Sequence, residues 1–187
     1  MDHSLHRCLR TLARHAEWAN AEVYDASTQL TRDAYHADTG SGASVHALLN
    51  RLLVFMRLMQ ARIDGYEDGL AAHDGEQHKT FARIRDALVA EDVAIVDRIR
   101  HLSEDDLELP VTWTDADGRR HTGSNRDLAV ELLLGEAELR GAVRLRLEAA
   151  GAVVPDLGFS RFQRVVLSLD ERSHPRRGGV RRDTVGR

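Results

Sequence analysis

The side chains able to do chemistry in this chain are imidazoles, guanidinium groups and carboxylates, with ten histidines and a single cysteine among 187 residues. His15 and His46 both lie in stretches with helical apolar spacing. There an imidazole either ligates a divalent metal or hydrogen-bonds at a helix edge. A site combining His15, His46 and Glu138 is one reading; two histidines lining the edge of a helical core is the other. Trp18 reads as a packing residue before a platform for ligand. Cys8 has Leu5, Leu9 and Leu12 around it and reads as a small hydrophobe. A nucleophilic thiolate would need Arg7 or His15 beside it. Asp115-Ala116-Asp117-Gly118 resembles half a calcium loop, but Trp113 stands where the first ligand belongs and no closing Glu follows. It reads as a turn. Glu171 and His174 have a carboxylate–histidine spacing that stands alone, and no phosphate-cradling glycine loop or serine elbow occurs.

Four long amphipathic segments must position these groups. The first runs from about Ser4 to Asp25, with Leu5, Leu9, Leu12, Ala16, Ala19 and Val23 at steps of four and three. A connector rich in Thr, Asp, Gly and Ser covers 27–42. Ser41 or Ser44 caps the second helix, which runs to about Asp64 with Val45, Leu48, Leu52, Phe55, Met59 and Ile63 inward. The third spans about Gln77 to Leu102, on Phe81, Ile84, Leu88, Ile95 and Ile99. The stretch from Val111 to Gly123 breaks the helical period and predicts a short β-hairpin turning at Asp117-Gly118. The fourth helix, Ser124 to Gly151, has a capping Ser124 with Asp127 three residues on, and a glycine stop. Its apolar stripe reads Leu128, Leu132, Gly135, Leu139 and Ala142. A short helix is expected after Pro155. The fold class is therefore all-α, a four-helix bundle over 1–168 with a hairpin insert before the last long helix. A basic, weakly structured tail is expected over 169–187, where Asp170 to Arg187 holds six Arg against three acids.

The formal charge of −4 gives no general attraction to nucleic acid or an anionic membrane. One cysteine permits no intramolecular disulfide and fits a reducing compartment. No leader pattern is evident, and no apolar run nears the roughly 20 residues that span a bilayer. The expected setting is soluble and cytoplasmic.

Four stretches carry a resemblance to the DinB/YfiT-like family of bacterial helical proteins, a metalloenzyme superfamily. They are His15-Ala16-Glu17-Trp18-Ala19-Asn20, Ser44 to Leu53, Trp113 to Gly118, and Arg140-Gly141 with Ala150-Gly151 and Pro155-Asp156-Leu157. The similarity covers about residues 10–163. It implies one divalent metal, Zn or Ni, held by three histidines, with thiol-dependent transferase, isomerase or hydrolase chemistry, a stress-response setting and a homodimer. The family's ligand positions are filled here by Arg51, Gly135 and Leu139, none of which can serve as the ligand. The resemblance thus implies a degenerate metal site and no expected cofactor, unless a substitute site binds metal.

Arg51 has Leu48 before it and Phe55 after it, so it is expected to face inward and pair with Glu131 or Glu138. The expected pocket is His15, Trp18, His46, Arg51, Glu131 and Glu138. The favoured function is a small-molecule-binding, regulatory or scaffold protein. The alternative is a thiol-dependent enzyme that keeps the pocket and anchors substrate on Arg51. Surplus apolar residues such as Leu53, Met56, Leu133 and Leu134 add to the expectation of a homodimer.

Overall fold

The computed structural model describes residues 4–38, 43–65, 75–115 and 117–168. It divides into two compact units, Met1–Pro155 and Asp156–Arg187. Ser41, Ala116 and the expected tail over 169–187, with Glu171 and His174, lie outside the described residues.

In the first unit α1 spans Ser4–Ser27, α2 Arg32–His36, α3 Val45–Ile63, α4 Phe81–His101 and α5 Glu104–Glu108. Strands β1 (Pro110–Thr114) and β2 (Arg120–Ser124) follow, then α6, Asn125–Ala149. Of the four long helices, α1 and α3 each pack against both α4 and α6. The described residues are thus mostly helical, with one small antiparallel sheet.

Local chemistry sets the boundaries. Ser44 accepts from the Ala47 amide and opens α3; Thr80 does the same for α4 through Arg83. Ser124 and Asp127 form the full reciprocal capping box of α6, and Gly151 closes it at φ +86°. Two short helices lie in segments that carry no long apolar period. α2 is started by Thr31, and α5 by a capping box between Ser103 and Asp106. In the hairpin, Trp113 faces His121 across the sheet and the rings stack. Asp115 organises the turn by accepting from the Asp117 and Arg119 amides and from His121 Nε2 at 2.8 Å. These bonds hold its carboxyl below the usual range. Gly118 takes φ +77°, which a glycine adopts without strain.

The inward face of α6 differs from the expected stripe. Buried are Asn125, Leu128, Ala129, Leu132, Leu133, Glu136, Arg140, Val143 and Leu147. Gly135, Leu139 and Ala142 lie beside that face, only half-buried. A rule that follows apolar residues alone stepped past Glu136 and Arg140, which hold the inward positions with charged groups. On α1, Leu5 and Leu12 are likewise more exposed than the stripe suggested.

In the second unit α7 spans Phe159–Phe162 and runs into a π-helical turn, Gln163–Leu167. The Gly158 amide donates to the Asp156 side chain at 2.9 Å, which sets the turn into α7.

Candidate functional site

The residues expected to share one pocket occupy three places. His15 and Trp18 are half-buried neighbours on α1, their rings 6.0 Å apart. Glu131 and Glu138 line an open groove over α3 and α6, with Phe55, Val130, Leu134 and Gly135. His46 and Arg51 line a different pocket of about 580 Å³.

The expected pairing of Arg51 is corrected by this arrangement. Arg51 is exposed, and no ion pair among the described residues joins it to Glu131 or Glu138. Glu131 instead lies 3.6 Å from Arg62, whose guanidinium also sits over the Trp113 ring. The physical reason is rotation: Arg51 turns away from the α3 face that buries Leu48, Leu49, Leu52 and Leu53.

The residues at the metal positions that the resemblance implies do not fit a metal. Arg51 is a guanidinium and Leu139 an alkyl chain. Gly135 has no side chain and no room for one: a Cβ there would sit 2.2 Å from Phe55 Cζ. A side chain at this position would make the Phe55 ring shift. Among the described residues no three His, Cys, Asp or Glu side chains converge closely enough to hold a metal ion.

His46 organises a polar corner. It is buried on the first turn of α3, with Nε2 2.5 Å from Glu76 Oε1 and Nδ1 3.2 Å from the Tyr35 hydroxyl. With Nε2–H donating to the carboxylate, Nδ1 accepts the phenol proton, giving a Tyr35–His46–Glu76 relay. Burial pushes the Tyr35 phenol above its ordinary range. The rings of His36 and Phe81 flank it, His36 at 4.5 Å from His46 and Phe81 at 5.4 Å from Tyr35. Asn50, one turn after His46, fixes the segment carrying Glu76. Its oxygen accepts from the Gln77 and His78 amides at 2.7 and 3.0 Å, and its nitrogen donates to His46 and His78 carbonyls.

Two pockets meet this corner. One holds His46, Asn50, Arg51 and Glu76; the other, about 480 Å³, holds Arg32, Tyr35, His36, Lys79, Thr80 and Phe81. Arg32, Lys79 and Arg51 form no ion pair with a described acid, and Glu76, the acid among the described lining residues, is taken by His46. The corner is therefore a cation-rich surface around an aromatic wall.

A second cluster lies in the helical core and was not foreseen. Asn20 and Tyr24 of α1, Asp92 of α4, and Glu136 and Arg140 of α6 are all buried together. The Asn20 amide donates to Asp92 Oδ1 at 2.7 Å and Tyr24 to Oδ2 at 2.9 Å. Arg140 donates to the Asn20 oxygen at 2.9 Å. Burial raises Asp92 to about 7, with the Glu17 charge adding a smaller push, and raises Glu136 to about 8, with the Asp92 charge adding to it. Tyr24 is raised by burial and by Asp92, and burial lowers Arg140. Glu136 Oε1 has no hydrogen-bond partner, as a carboxyl that keeps its proton near neutrality tolerates better than a carboxylate does. The signal in the sequence was the interruption itself. Glu136 follows Leu132 by four, Arg140 follows Glu136 by four, and Asp92 stands between Leu88 and Ile95.

No protein-family model matches this chain, and no curated protein matches it.

Proposed function

We propose that the protein is a DinB-like four-helix bundle that binds a small anionic molecule at the His46 corner, without metal-dependent catalysis. The observation that carries this reading is the lining of the two pockets. Three cations, Arg32, Lys79 and Arg51, have no described acid to neutralise them, and the rings of Tyr35, His36 and Phe81 supply apolar contact. Pockets of this size accept small organic ligands, with a few polar groups fixing orientation. An anion gains charge-assisted hydrogen bonds from the guanidinium and ammonium groups. The DinB-like assignment rests on the four motif stretches, the helix order and the hairpin before α6.

The relay favours a second reading, an enzyme of the thiol-dependent transfer type. His46, backed by Glu76, would move a proton while Arg51 anchors the substrate.

Calorimetric titration with benzoate and with inorganic phosphate tests the first reading. Arg32→Ala and Lys79→Ala should each weaken binding by about tenfold, the scale of one lost charge-assisted hydrogen bond. Absence of binding by either anion, or unchanged affinity in both variants, removes the assignment. Turnover of a thiol-bearing substrate that His46→Gln abolishes would favour the enzyme instead.

A further inference from the structure

We propose that the anion bound at the His46 corner is a carboxylate on an apolar body, that it takes the Tyr35 hydroxyl as a hydrogen-bond donor, and that its binding loads one proton from solvent onto His46. The inference rests on the anion-binding reading and adds a ligand class and a proton to it. Tyr35 belongs to both parts of the corner. Its side chain lines the pocket of about 480 Å³ with Leu30, Arg32, His36, Lys79 and Phe81, and its hydroxyl lies 3.2 Å from His46 Nδ1. Rings and a leucine beside two cations suit an apolar body that ends in a carboxylate.

The proton follows from a count of hydrogens. Glu76 Oε1 lies 2.5 Å from His46 Nε2 and takes the hydrogen of that nitrogen. Nδ1 then accepts from Tyr35, and the phenol has no second hydrogen to give. Asn50 Nδ2 is 3.3 Å from Nε2, but its two hydrogens serve the His46 and His78 carbonyls. For the phenol to turn to a carboxylate, Nδ1 must become a donor. Shifting the Nε2 hydrogen to Nδ1 would set two acceptors, Nε2 and the Glu76 carboxylate, against each other at that short distance. A proton from solvent gives an imidazolium that donates to Glu76 on one side and to the Tyr35 oxygen on the other, while Tyr35 donates to the ligand. Burial pushes the phenol above its ordinary range, so Tyr35 gives a hydrogen bond and keeps its own proton. Charge points the same way. The described groups facing the imidazole are Tyr35 and His36 from α2, Glu76 from the segment before α4, and Asn50 and Arg51 from α3 itself, with Arg32 and Lys79 in the neighbouring pocket. A bound carboxylate offsets the surplus of cations and leaves room for a positive imidazole beside Glu76.

Calorimetric titration of benzoate into the full chain at mildly alkaline pH, repeated in buffers of different ionisation enthalpy, counts the protons taken up. The wild type should take up about one proton per benzoate, and its affinity should fall about tenfold per pH unit on the alkaline side. Tyr35→Phe, which keeps the ring, and His46→Gln should bring the count near zero; His36→Gln should leave it unchanged. Helical circular dichroism checks the fold of each variant, and the wild-type count decides by itself if one of them unfolds. Benzoate binding without proton uptake overturns this proposal and leaves the anion-binding reading standing. Uptake that persists in Tyr35→Phe, or that His36→Gln abolishes, also overturns it. Absence of benzoate binding overturns it too, and absence of phosphate binding as well removes the anion-binding reading with it.

Discussion

Two polar clusters in this molecule use the same kinds of group for opposite ends. In the helical core, Asp92, Glu136 and Arg140 are 5 %, 1 % and 6 % exposed, and their hydrogen bonds run to Asn20 and Tyr24. At the His46 corner the relay is buried on one side, while Arg32, Lys79 and Arg51 stand exposed around it. The sealed cluster has two carboxyls for one guanidinium and settles the imbalance by keeping a proton. Among its described lining residues the open cluster has more cations than acids, which leaves the imbalance to solvent or to a ligand. A buried ionic set fixes which helices meet and in which register; a half-open one is free to recognise something.

The comparison breaks most visibly at Arg140. Arg140→Ala should cost about 3–5 kcal/mol, because it strands buried carboxyls, whereas Arg32→Ala should stay within about 0.5 kcal/mol. Urea denaturation of the two variants checks this; equal losses would mean that the core cluster is not a structural unit.

The next effect is on pH. Asp92 and Glu136 titrate near 7 and 8 in the folded chain, well above ordinary carboxylates. From the unfolded carboxyl range up to about pH 8 the folded state therefore binds more protons than the unfolded state, and stability falls as pH rises. Below the unfolded range and above both folded values this contribution is flat. Denaturation midpoints followed from acid to alkaline pH should show that decline, and Glu136→Gln should flatten it. Asp92→Asn should also bring Glu136 down, because the Asp92 charge is one of the causes that raise it.

A smaller and more local change is expected from Asn50→Ala. It removes the acceptor of the Gln77 and His78 amides and should cost about 1–3 kcal/mol. Hydrogen exchange should quicken at those two amides and leave α6 unaltered. The smallest effect concerns the cap of α6: Ser124→Ala should lower stability by about 1 kcal/mol, read by thermal unfolding, with both clusters intact.

Much of the architecture was legible because its signals are local. Ser44, Ser124 with Asp127, and Gly151 mark helix ends through their own hydrogen bonds or backbone angles, so spacing alone finds them. The hairpin was visible in the loss of helical period. The short helices α2 and α5 were not, since each is a single capped turn without a stripe of its own. The site was legible only in part. His46 stood out by residue type, but its partners Tyr35 and Glu76 come from segments 11 and 30 residues away. Arg51 misled because Leu48 and Phe55 flank it in spacing, while the helix turns it outward and Phe55 covers Gly135 instead. Glu136, Arg140 and Asp92 were passed over because a charged residue on an apolar stripe is read as a break, when here it is the stripe's content.

The His46 corner is proposed to bind an anion with side chains alone. The most direct test is calorimetric titration of benzoate into untagged protein stripped with a chelator and checked by elemental analysis. Affinity should be unchanged after stripping and lost when Arg32 and Lys79 are both replaced by alanine. Binding that vanishes with the metal and returns on adding Zn or Ni would contradict it.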